Sequence, residues 1–208
     1  MRWIIILVVF ATALFSMPYT GFMKLQKGAW AKYEILSQDK NATLTLKYLG
    51  TTLYKGKKVN IVESEMVIDG YKIVTQNWSA VDNDAVIKKV ITKTPTSVIC
   101  FEEEMIGMMG DNTPYYHTKT PKEYSPKKPN IKIATYTLPN GKKIKAAIFK
   151  DKGLEVWVSS QVPFGIVKVV ENGKTTMRLV DFGLSGAKPA ISLKEAQSCT
   201  APMLPVPR

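Results

Sequence analysis

The chain contains a single histidine, His117, so any Ser-His-Asp or Cys-His nucleophile would have to use it as its base. His117 sits in a proline-flanked stretch, and no nearby residue pairs with it as a nucleophile. With one histidine and two cysteines, zinc sites built on several histidines or on paired cysteines are excluded by count. Glu63 and Glu65 are the only carboxylates spaced like a catalytic pair. Hydrolysis of an acidic glycan would need them to act across a cleft. Two residues apart on a strand they share a face, and the expectation is a pair of solvent-facing carboxylates. Glu102, Glu103 and Glu104 are consecutive and cannot all face one cation from a strand. Gly107-Met108-Met109-Gly110 lacks the Lys-Ser/Thr that follows in a phosphate-binding loop. The chain therefore reads as non-enzymatic, with no cofactor and no metal expected.

The elements that would position any site are short strands with turn residues between them. Alternation or apolar runs mark strands at 29–37, 43–49, 59–68, 71–78, 86–93 and 98–103, then at 131–138, 143–149, 154–159, 166–170 and 175–182. The total is about eleven, joined mainly by tight turns, which requires antiparallel neighbours in a meander. Thr43 to Leu49 alternates Leu44, Leu46 and Tyr48 against Thr43, Thr45 and Lys47, the pattern of a half-buried strand. Asp69-Gly70, Asn172-Gly173 and Pro139-Asn140-Gly141 each separate two such runs and mark hairpins. Glu103 to Gly110 is Met-rich and Gly-interrupted, and reads as a short helix or an apolar flap. Ser192 to Ala196 is expected to make at most one helical turn.

One basic residue, an apolar run from Trp3 to Phe15, then Ser16, Met17 and Pro18 is the layout of a secretory signal, expected over residues 1–22. The run falls short of the about 20 apolar residues that span a bilayer. An uncleaved inner-membrane anchor is the alternative. No cysteine follows the run, so a lipid-modified N-terminus is not expected. Residues 23–186 form a single β-rich domain, with a Pro- and Lys-rich loop at 111–130 between its halves. Residues 187–208 form a Pro-rich tail. In an oxidising compartment Cys100 and Cys199 could pair and pin that tail to the sheet; unpaired, Cys100 is a small buried thiol. Asn41-Ala42-Thr43 and Asn77-Trp78-Ser79 match the glycosylation pattern. The chain carries 29 Lys and Arg against 17 Asp and Glu, a net charge of +12. Outside the cytoplasm that excess favours anionic membrane surfaces or wall polymers, and nucleic acid is not an expected partner. The lysines are spread, which also reads as a solvated surface.

Gly28-Ala29-Trp30-Ala31-Lys32-Tyr33, then the stretch from Val156-Trp157-Val158-Ser159 through Val162-Pro163-Phe164-Gly165, and finally Leu179-Val180-Asp181-Phe182-Gly183 occur in this order. The set resembles exported bacterial proteins of unknown function whose architecture is similar to the outer-membrane lipoprotein carrier (LolA/LolB-like) fold. The resemblance implies an all-β to α+β chain: a curved antiparallel sheet or half-barrel with little helix, cupping an apolar cavity. It implies no catalytic residue. On that reading the protein is a periplasmic or extracellular carrier or sensor of an apolar or lipid-like ligand. The expected ligand wall is Tyr33, Tyr48, Trp78, Trp157 and Phe164, closed by Met105, Ile106, Met108 and Met109. The alternative is an envelope scaffold that docks a protein partner on a sheet edge or on the Val162-Pro163-Phe164 corner.

Overall fold

The computed structural model describes residues 25–37, 41–84, 86–108 and 131–199. The expected signal segment, the loop 111–130 with His117, Met109, and the end of the tail lie outside the described residues. Eleven strands are present: β1 (Trp30–Leu36), β2 (Asn41–Tyr54), β3 (Lys57–Ile68), β4 (Tyr71–Ala80), β5 (Ile87–Lys93), β6 (Val98–Glu102), β7 (Lys132–Thr137), β8 (Lys143–Asp151), β9 (Leu154–Val158), β10 (Ile166–Glu171) and β11 (Lys174–Gly183). Two short helices, α1 (Glu103–Met108) and α2 (Leu193–Ser198), complete the described elements. Among the described residues no helix is long and apolar enough to cross a membrane.

All eleven strands belong to one antiparallel sheet, in the order β6-β5-β4-β3-β2-β1-β11-β10-β9-β8-β7. The expected single meander is in fact two. β1–β6 runs outward to one edge, β7–β11 runs inward from the other, and β1 pairs with β11 at the centre. Local turn chemistry sets each meander. The turn pairs Lys55-Gly56, Asp69-Gly70, Lys152-Gly153 and Asn172-Gly173 all hold positive φ at both residues, the geometry whose twist matches flanking strands. β2 extends past Leu49 to Tyr54 because the β2–β3 ladder resumes after a register shift between Tyr48 and Gly50. Gly50 has φ +94°, which a side chain would resist there.

The sheet is curved and unclosed. The Tyr136 hydroxyl on β7 donates to the Leu179 carbonyl on β11 at 2.8 Å, although four inter-strand gaps separate these strands. Laid flat, those gaps would span about 19 Å, well beyond a tyrosine's reach. The roll gathers Tyr33, Leu44, Leu46 and Met66 into one core with Ile144, Val156, Val158, Val169 and Leu179. A second, smaller core of Val59, Ile61, Val74, Trp78, Ile91 and Cys100 includes Ile191 and Ala196 from the C-terminal segment.

Candidate functional site

Strand register separates the two faces of the β2–β6 half. Lys47, Glu63, Gln76, Ile91 and Cys100 lie side by side across five strands on one face. The C-terminal strap, residues 187–199, is laid over this face. Cys199 is joined to Cys100 by a disulfide, with Cα atoms 6.1 Å apart across 99 residues of sequence. Ser192 caps α2 by accepting from the Glu195 amide at 3.1 Å. Lys93 pairs with Glu195 at 2.7 Å, and Lys89 donates to the Cys199 carbonyl at 2.7 Å.

Glu63 is not the solvent-facing carboxylate that strand alternation suggests: its exposure is 0%. Its oxygens accept from Lys47 Nζ at 3.0 Å, Gln76 Nε2 at 2.9 Å, the Ala190 amide at 2.9 Å and the Ile191 amide at 3.1 Å. Two of those donors come from the strap, more than a hundred residues away in sequence, so alternation along β3 could not reveal them. Glu65 pairs with Lys47 and Lys72. Glu63 thus sits under the strap, and Lys47 bridges the two carboxylates.

Lys89 is the second charge under the strap. Its Nζ lies 5.6 Å from the Tyr54 ring centre and 5.8 Å from that of Trp78, and Glu102 is 3.8 Å away. Burial pushes its pKa down, partly offset by the Glu102 charge. Glu102 itself is pushed up by burial, yet the Lys55 ammonium 3.1 Å away helps to leave it net below the usual carboxylate range. Among the described residues no cluster of three or more His, Cys, Asp or Glu side chains could hold a metal ion.

Four of the five expected rings gather at the main core, Tyr33 and Phe164 inside it and Tyr48 and Trp157 packed against it, whereas Trp78 belongs to the smaller core. Tyr33 is sealed in the main core, where its hydroxyl donates to the Ile166 carbonyl at 3.2 Å; burial raises its pKa strongly. Trp78 is sealed beneath the strap, donating to Gln76 Oε1 at 3.2 Å. Register places it on the face opposite Tyr33 and Tyr48, because Tyr48 aligns with Val62 and Asn77. Trp157 is half-buried, with Glu155 accepting from its indole and the Lys168 ammonium 5.2 Å from its ring centre. Phe164 is buried at φ 65°, and Val162, Pro163 and Gly165 around it are buried too. That corner, expected as a docking point for a partner, therefore has no side chain to offer one. Ile106 is buried and Met105 half-buried on α1, which packs along β5 and β6. Met108 ends that helix.

Among the described residues, the other face of β3–β6 is only half covered. Tyr48, Val62, Asn77, Val90 and Phe101 form one row across it, with Ser64, Thr75, Thr92 and Ile99 as the next. All are half-buried except Ile99, which is 43% exposed. The shelf continues into the main core through Leu44, Leu46 and Met66. One end is polar: the Tyr48 hydroxyl donates to Asn60 Oδ1 at 2.9 Å, and Asn60 Nδ2 to Asp84 Oδ1 at 2.8 Å. Burial, then the Asp84 charge, raises the Tyr48 pKa. Sequence reading found Tyr48 but missed Val62, Val90 and Phe101. The signal was there: β3 carries apolar residues on both faces, at Val59 and Ile61 and at Val62 and Met66. No protein-family model matches the chain, and neither the curated proteins nor the solved structures provide a significant match.

Proposed function

We propose that this chain is an exported, non-catalytic binding protein, a carrier or sensor of the cell envelope that holds an apolar or lipid-like ligand. The ligand lies along the half-buried shelf of β3–β6. The observation that carries this reading is the shelf itself: a mixed row of Val62, Val90 and Phe101 with Asn77 and Thr75 beside it, open where the opposite face is sealed by the strap. An open, curved sheet is also what the resemblance to lipoprotein carriers implies. Apolar side chains on the shelf would grip an acyl chain, and the Tyr48-Asn60-Asp84 end would exclude it or orient a polar head.

The shelf covers a ligand from one side. A chain of about a dozen methylenes, half covered, gains roughly 5 kcal/mol at ~0.8 kcal/mol per buried methylene. That corresponds to a Kd of about 0.2 mM before ordering costs. Delipidated protein should therefore be titrated with a fluorescent fatty acid into the sub-millimolar range. Saturable binding that Val90→Asp weakens at least tenfold, in protein whose near-UV circular dichroism is unchanged, supports the reading. Folded wild-type protein without saturable binding overturns it.

A further inference from the structure

We propose that the β7–β8 edge of the sheet is a docking surface for a membrane that carries anionic lipid. Three observations converge on this edge. First, β7 is a terminal strand, and it displays the most exposed large apolar side chain of the described residues, Ile133 at 74%, with Ile131 just before the strand at 48%. Second, register sets an apolar end beside a basic end on this hairpin face. Ile133 lies opposite Ala147, then Thr135 opposite Lys145 and Thr137 opposite Lys143. Both lysines are exposed, as are Lys132 and Lys152; Lys150, also exposed, is paired with Glu155. Third, the charge is unevenly divided along the chain. Residues 131–186 carry nine Lys and Arg against four Asp and Glu, whereas residues 25–108 carry eleven against ten.

The opposite edge serves as an internal control. β6 also exposes apolar residues, Val98 and Ile99, each at 43%. It runs straight into Glu102, Glu103 and Glu104, which pair with Lys55, Lys88 and Lys89, so this edge has no comparable surplus of positive charge to offer an anionic surface. Exposed apolar residues beside lysines suit an interface where side chains enter the acyl boundary and ammonium groups meet phosphates. A protein partner with an acidic groove would match the lysines, but the isoleucines would then need a paired pocket. A bilayer interface satisfies both with no specific complement. This docking does not depend on a ligand on the shelf, and the two readings can fail separately.

The test is cosedimentation of the full chain with vesicles of phosphatidylglycerol and phosphatidylcholine, against vesicles of phosphatidylcholine alone. Binding is expected to the mixed vesicles and to fall steeply between low and high salt, because exposed charges are screened within a Debye length. Lys143→Ala with Lys145→Ala should lower the partition roughly thirtyfold, from about 1 kcal/mol per basic residue near the surface. Ile133→Ser should lower it at any salt concentration, and Lys143→Arg with Lys145→Arg should retain it. These positions are exposed, so the variants are expected to fold as the parent does. Equal binding to neutral vesicles overturns the proposal, as does unchanged binding by the lysine variant. So does loss of binding by Val90→Asp but not by the edge variants, which would assign the lipid to the shelf instead.

Discussion

Replacing Glu63 with alanine tests whether the strap is held by a buried carboxylate rather than by its disulfide alone. The substitution leaves the Ala190 and Ile191 amides and one Gln76 N–H without their acceptor. Lys47 is cushioned, because it also bonds Glu65 and the Lys188 carbonyl. Each hydrogen bond to a charged group is worth about 1.5–3 kcal/mol, so three orphaned donors set a ceiling of several kcal/mol. The vacated volume is polar and can admit water, which returns part of that loss. The expected cost is therefore about 3–5 kcal/mol, the range for breaking a buried charged contact from one side. Glu63→Gln keeps the shape but turns an NH2 group toward donors, and should cost roughly half as much by the same bond count.

Global stability by urea denaturation gives the total, and amide hydrogen exchange locates it. In the parent protein the Ala190 and Ile191 amides should be strongly protected. In Glu63→Ala their exchange should accelerate by about two orders of magnitude, from roughly 3 kcal/mol of lost local stability, while β10 amides such as Val169 change much less. Unchanged exchange at Ala190 and Ile191, or a loss of stability under about 1 kcal/mol, would refute the argument that this carboxylate anchors the strap.

Breaking the disulfide with Cys199→Ser releases a closed loop set by a separation of 99 residues. Chain-entropy reasoning puts the loss near 4–5 kcal/mol as an upper bound, read as a fall in calorimetric Tm that reductant reproduces in the parent and not in the variant. Tyr33 predicts alkaline behaviour. Its folded pKa is raised by burial above the ordinary 10.0, so the folded state keeps a proton that the unfolded chain loses. That stability is fully present below pH 10 and drains away as pH rises further. Tyr33→Phe should flatten this decline in denaturation measured from pH 9 to 12, at a cost of about 1 kcal/mol at neutral pH for the bond to Ile166; an undiminished alkaline decline would count against it. Gly183→Ala should cost at least about 2 kcal/mol through overpacking, because a Cβ there falls inside the Trp30 indole, 2.9 Å from Cε2. Thermal denaturation checks this, and an unchanged Tm would show that the indole can move aside.

The strands were legible because their cause is local. Alternation from Thr43 to Leu49 and turn pairs such as Asp69-Gly70 and Asn172-Gly173 act over a few residues, and the structure places strands and hairpins there. The β1–β11 pairing was not legible, since nothing in Trp30–Leu36 names a partner almost 150 residues on. The strap was hidden for the same reason. Ser192 and Glu195 announce a capped turn, but only the fold brings Ala190 and Ile191 to Glu63. The aromatic residues misled in a physical way. Large rings on strands indicate burial without saying beneath what, and Tyr33 and Trp78 are buried on opposite faces of the sheet.

The pattern along β3 carries the argument one step further. A strand with one wet face should alternate, yet β3 is apolar on both, with Val59 and Ile61 on one side and Val62 and Met66 on the other. The first pair is covered by the strap, whose Ile191 and Ala196 complete the smaller core. Met66 is covered by the roll of the sheet, while Val62, Val90 and Phe101 are left half-buried. On the proposed reading, the half-buried part of that second face is where an apolar ligand would lie. The shelf is therefore where binding should be sought first, and mutations under the strap should leave that binding intact wherever the fold survives them.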